Sequence, residues 1–249
     1  MIEKTRYSII ATALMLSFFL CSIAFAADTY IYNFQHIKED GDDTPQLNNG
    51  KIGEEQLSFE VSYESDDLVT FTFYNSGTKD SSITDIYFDD NVPLLVFAGD
   101  KGSKQTGFEY SQDYDKVTKA GVEFTVGATP QDLSGGGTLD PVFTSNYDYD
   151  ADDPSAHKGV NPDEWVKLYF KLATNDTKFT NLIAALDDGS FRVGIHVQGF
   201  ENSGSEAFVN GSRDDDINSG GSEVPEPATL LLLGFGMLSA AGISRKKFF

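Results

Sequence analysis

Four aspartates form the densest candidate chemistry in the chain. Asp148, Asp150 and Asp152 alternate within Asn146–Pro154 (NYDYDADDP), and Asp153 follows directly. Alternating carboxylates match the opening oxygen positions of a loop that wraps calcium, a hard cation with oxygen ligands. Two departures rule out an EF-hand. Asp153 stands where glycine makes the sharp turn, and Gly159 stands where a bidentate glutamate closes the shell. The expectation is a solvated acidic loop. The alternative is a looser calcium site on Asp148, Asp150, Asp152 and Asp153; no other cofactor is expected.

Other side chains carry less. Tyr147 and Tyr149, with Trp165 and Tyr169 further on, could stack on sugar rings, although ordinary sheet packing explains them as well. The three histidines, His36, His157 and His196, lack the spacing of a zinc pair. His196 sits in an alternating stretch and reads as a strand-face residue. No G-x-S-x-G elbow is present, and Gly99–Lys104 (GDKGSK) lacks the P-loop spacing. No pair of carboxylates is marked as a glycosidase pair. No catalytic residue is expected, and the chain reads as a non-enzyme.

The elements that would position these residues are strands. Leu57, Phe59, Val61 and Tyr63 alternate with polar residues, and Val69, Phe71 and Phe73 do the same after Asp66-Asp67. That is the two-residue period of a hairpin with one buried face. Thr29–Phe34, Ile83–Phe88, Leu94–Phe97, Val122–Val126, Trp165–Leu172, Phe191–Val197 and Ala207–Val209 read as further strands. His36–Gly53 reads as a loop or hairpin turn. Phe179, Leu182, Ile183 and Leu186 switch to helical spacing, with Asp176 or Thr177 able to cap the start. The pattern predicts an all-β, antiparallel β-sandwich of jelly-roll or immunoglobulin-like type with one short helix.

The ends of the chain are apolar. Lys4 and Arg6 precede the apolar stretch Ile9–Leu20, and Ala24-Phe25-Ala26 offers a small-x-small cleavage site before Ala27. These are the parts of a signal peptide. Cys21, the only cysteine, follows Leu20, where a lipoprotein signal needs a small residue. Lipidation is not expected, and cleavage would leave no cysteine, so the exported body must rely on packing, with bound cations as the other available source. At the other end, Ala228–Ile243 is apolar and closes on Arg245-Lys246-Lys247. About sixteen residues give a helix of ~24 Å, short for a ~30 Å hydrocarbon core unless the flanking residues snorkel. The basic cluster should stay cytoplasmic and leave the body outside.

The order of parts here resembles a PEP-CTERM sorting signal. Pro225-Glu226-Pro227 abuts the apolar run, the small-residue half Gly234–Gly242 follows, and Arg245, Lys246 and Lys247 end it. The resemblance is confined to 224–249. It implies sorting by an exosortase, a membrane-embedded cysteine transpeptidase of Gram-negative bacteria that make exopolysaccharide. It also implies cleavage near Pro225-Glu226-Pro227. Two prolines stop the helix from extending toward its N-terminal side and keep the segment extended, as a protease requires.

The expected division is 1–26 signal peptide, 27–209 passenger, 210–223 Gly/Ser/Asp linker and 224–249 sorting signal with its transmembrane run at 228–243. A net charge of -21 over 249 residues disfavours nucleic acid as a partner. Signal peptidase and exosortase are the expected partners during export, with exopolysaccharide beyond it. The expected location is a transient inner-membrane anchor, then the cell surface or extracellular matrix. The expected role is a non-enzymatic surface or matrix protein of biofilm. The alternative is a carbohydrate-binding module, with or without calcium, and the remote one a secreted hydrolase.

Overall fold

A computed structural model describes residues 28–38, 44–65, 68–97, 108–110, 117–173, 177–201 and 204–213. The signal residues Ala24, Ala26 and Ala27, the Asp66-Asp67 turn, and the tail with Pro225, Glu226, Pro227, Arg245, Lys246 and Lys247 lie outside them. Among the described residues no helix is long and apolar enough to cross a membrane.

The chain is mostly β. In order come β1 (Thr29–His36), α1 (Thr44–Gln56), β2 (Leu57–Ser65), β3 (Leu68–Asn75), β4 (Ser82–Asp90), β5 (Leu95–Phe97), β6 (Phe108–Tyr110) and β7 (Phe124–Val126). A short 3-10 turn at Gly136–Thr138 precedes β8 (Tyr147–Ala151), α2 (Ser155–Lys158), β9 (Glu164–Leu172), α3 (Phe179–Asp188), β10 (Phe191–Gln198) and β11 (Glu206–Arg213).

The strands join in one antiparallel sheet of eleven, in the order β5-β9-β3-β2-β1-β11-β10-β4-β8-β7, with β6 also on β9. The all-β, antiparallel expectation holds, with one curled sheet where a sandwich was expected. The bridge is the pair β1–β11, where a register shift between Tyr32 and Phe34 marks a bulge. A bulge bends its strand, and the sheet curls until its two halves face each other. Phe71 of β3 meets Phe88 of β4 edge-on at 5.1 Å, and Phe88 meets Phe170 of β9 at 5.0 Å. These rings are fully buried. Edge-to-face pairs add to the gain from area burial.

The alternating stretches fold as their period demands. Phe59 pairs with Phe73 and Val61 with Phe71 across β2–β3, and all four point inward. Val166, Leu168 and Phe170 do the same on β9. Along α3, Phe179, Leu182, Ile183 and Leu186 are buried, and Phe179 packs on Tyr30 and Tyr63. The Asn181 side chain accepts the Lys178 N–H at 2.9 Å and closes the start of α3.

Three local expectations are corrected. First, the residues read as a loop or turn before β2 include helix α1. Its sequence, TPQLNNGKIGEEQ, has no apolar stripe, so period cannot reveal it. What holds it is close approach: Gly50 lies on the His36 ring and Gly53 on the Phe208 ring, so near that a Cβ at either would overlap the ring. Second, a single helix was expected, whereas α1 and α2 accompany α3. Third, Asn146–Pro154 is not a loop. Its centre is β8, paired with β4 on one side and β7 on the other.

The outer face of the β11-β10-β4 half is not open to water. The segment following β7 folds over it, and Leu133, Phe143 and Ala128 pack on Tyr87, Ile37 and Ala207 as a second, smaller core. Every residue of β4 is buried in consequence.

Candidate functional site

Covering β4 on both faces has a chemical result: its aspartates are buried and must find partners. Asp89 is 0 % exposed and takes the guanidinium of Arg192 on β10. Arg192 donates onward to the carbonyls of Pro141 at 2.6 Å and Val142 at 2.8 Å, and its guanidinium lies over the Phe143 ring at 5.2 Å. This ion pair fastens the covering segment to the sheet. Asp90 accepts the N–H groups of Leu94 and Leu95 and shapes the turn into β5. Burial pushes the Asp90 carboxyl above its usual range, against the pull of those two donors.

The third aspartate sits in a row. His196 on β10 is directly opposite Asp85 on β4, and Asp85 is directly opposite Asp150 on β8. The next position across is Thr125 on β7. Asp85 Oδ2 meets His196 Nδ1 at 2.9 Å and accepts the Thr84 hydroxyl at 2.8 Å. Asp85 is 2 % exposed. Its other oxygen, Oδ1, is buried and has no hydrogen-bond donor. Asp150 is pushed up to about 7, first by burial and then by the charges of Asp85, Asp153 and Asp152.

His196 also lines a pocket of about 170 Å³ with Ile37, Gln46, Ser134, Ser205, Glu206 and Ala207. The polar walls are oriented from behind. Glu206 is held by His36 Nε2 and by Asn49 Nδ2, each at 3.1 Å, and His196 by Asp85. The volume is below the ~300–1,000 Å³ of drug-sized ligand sites, so it suits a small polar group.

The aspartates of the proposed calcium loop are dispersed by their strand. Asp148 and Asp150 lie on the outer face of β8, while Tyr149 and Ala151 point into the core. Asp148 accepts the Ala128 N–H at 2.6 Å. Asp152 pairs with Lys158 at 3.8 Å and accepts the Thr125 hydroxyl at 3.3 Å, and Lys158 also holds Glu123 at 3.0 Å. Asp153 is exposed in the turn before α2. Among the described residues no group of three or more His, Cys, Asp or Glu could hold a metal ion.

The aromatic candidates also divide. Tyr149 is 1 % exposed and packs on Phe88 and Phe170, so it offers no platform to a sugar. Tyr147 packs on Phe170 and donates its hydroxyl to the Leu95 carbonyl at 2.7 Å. Trp165 and Tyr169 remain half-buried on the outer face of β9, beside Lys167.

Sequence reasoning did not find the His196–Asp85–Asp150 row or the Asp89–Arg192 pair. Their members are far apart in the chain and meet only through the β10-β4-β8 register. The one available signal was Ser82–Asp90 (SITDIYFDD), a strand whose outward positions from Asp85 are Asp85, Tyr87 and Asp89.

Comparison with known proteins bears on the tail, not the sheet. The PEP-CTERM protein-sorting motif matches residues 223–246. The chain carries a PEP-CTERM sorting signal. The match agrees with the position of Pro225-Glu226-Pro227 and of the apolar run, and it supports an exported substrate of exosortase sorting. No curated protein and no solved structure matches the chain.

Proposed function

We propose that the chain is a non-enzymatic passenger delivered to the cell surface or extracellular matrix, in association with exopolysaccharide and biofilm. The PEP-CTERM motif at 223–246 carries this reading. It supplies an address, and the sheet upstream is the delivered body. The carboxyl pair Asp85–Asp150 does not favour a secreted hydrolase. Glycosidase carboxylates stand about 5–9.5 Å apart so that a sugar or water fits between them, whereas Asp85 is buried and sits directly opposite Asp150 on the adjoining strand. The test is fractionation of the native host with intact-mass analysis. The expected mature species begins at Ala27 and ends near Pro225–Pro227; a full-length C-terminus on every form overturns the reading.

A second reading, carbohydrate binding, is favoured by one observation. The 170 Å³ pocket presents an imidazole, a carboxylate, an amide and two hydroxyls beside the apolar Ile37 and Ala207. Such a mixture suits a polyhydroxylated ring. A glycan array should then show binding that Ser205→Trp, which fills the pocket, abolishes. Equal binding by the variant rejects the pocket as the sugar site.

A further inference from the structure

We propose that Asp150 carries a proton shared with Asp85, so that His196, Asp85 and Asp150 form a proton-loaded clamp across β10, β4 and β8. The buried Asp85 Oδ1 calls for it. A carboxylate oxygen excluded from water needs a donor, and Oδ1 has none while Oδ2 is served by His196 and Thr84. The residue directly across the ladder is a second acid, Asp150. A carboxyl becomes a donor only when protonated. Two ionised carboxylates on directly paired residues of neighbouring strands would repel, and a single shared proton removes both the repulsion and the orphaned oxygen.

The charged surroundings reinforce the arrangement. Asp148, Asp152 and Asp153 flank Asp150 on its own strand and turn, and β4 presents Asp85 and the Tyr87 hydroxyl. His196 of β10 faces Asp85, and Asp132 of the covering segment adds its charge at Tyr87. The nearby cation, Lys158 of α2, is engaged by Glu123 and Asp152. β7 contributes Thr125, which is uncharged, opposite Asp150. The field around Asp150 is therefore acidic and favours retention of the proton.

The sign follows from linkage. The folded state binds the proton more tightly than the unfolded chain does, so stability falls as pH rises from the ordinary carboxylate range through about 7. Loss of the proton places like charges across β4–β8, and the strain falls on the β8–β7 edge and the segment that follows β7. The clamp is closed in acid and loosened in base.

The test uses the full chain in detergent, with aspartate carboxyls ¹³C-labelled. One carboxyl should titrate near neutrality, and that resonance should be absent in Asp150→Asn. Asparagine supplies a permanent donor to Asp85, so the variant should melt a few degrees above wild type at pH 8.5 and coincide with it at pH 5. Asp85→Asn, the reciprocal change, should also remove the neutral titration. If every carboxyl titrates in the ordinary range, or if the Asp150→Asn and wild-type melting profiles run parallel with pH, the proposal is overturned. It is equally overturned by a calcium-induced rise in Tm at pH 8.5 that Asp150→Asn abolishes, which would assign the pair to a metal ion.

Discussion

Replacing Arg192 by methionine is expected to destabilise the folded protein by about 3–5 kcal/mol, the usual effect of removing one partner from a buried ion pair. Asp89 is 0 % exposed and would be left charged in a dry site. The carbonyls of Pro141 and Val142 would lose their donors at the same time. The total stability of a domain is about 5–15 kcal/mol, so the loss is a large share of it. A urea melt followed by tryptophan fluorescence reads the change. The double variant Arg192→Met with Asp89→Leu separates a lost attraction from a stranded charge, because hydrophobic replacement of a whole buried pair is often close to neutral. The double variant should recover most of the loss. Equal destabilisation of single and double variants would show that the fastening of Pro141 and Val142, and not the stranded carboxylate, dominates.

Changing Pro225 and Pro227 to alanine is expected to leave the full-length chain in the membrane fraction. Proline lacks the N–H that a helix interior uses, and its ring clashes with the preceding turn, at roughly 3 kcal/mol for each internal position. With both prolines gone, a helix formed by the apolar run 228–243 would be free to extend through the Pro-Glu-Pro segment, which cleavage would need extended. An effect of that size shifts the extended form by more than about tenfold. Intact-mass analysis of membrane and released fractions decides the matter. If wild type and variant show the same C-terminus, the two prolines are not what exposes the segment.

Legibility in the sequence tracked whether one residue's role could be seen in its near neighbours. The β2–β3 hairpin and β9 were legible because each has one face in the core and the other polar, which writes a period of two. The helix α3 was legible through Phe179, Leu182, Ile183 and Leu186. The helix α1 was not, because Gly50 and Gly53 earn their places by letting it approach His36 and Phe208, a tertiary demand with no local trace. The strand β8 was hidden for a related reason. Asp148 and Asp150 look like solvent-facing loop residues, yet one caps the Ala128 N–H and the other faces Asp85. The sorting tail was legible because its parts are consecutive. The His196–Asp85–Asp150 row was not, because it depends on a register among three strands that are distant in the chain.

The neighbours β1 and β11 have a kinetic meaning as well as an architectural one. The first and last strands of the described sheet lie side by side at its centre, with Phe34 opposite Asn210 and His36 opposite Phe208. Pairing of such distant segments raises contact order and slows folding. A chain threaded out of the cell N-terminus first must hold β1 waiting until β11 has followed it. The central seam can close only after nearly all of the body has crossed, so the topology itself keeps the passenger open during transit. The seam would then close once β11 has crossed, with the sorting motif at 223–246 behind it in the chain.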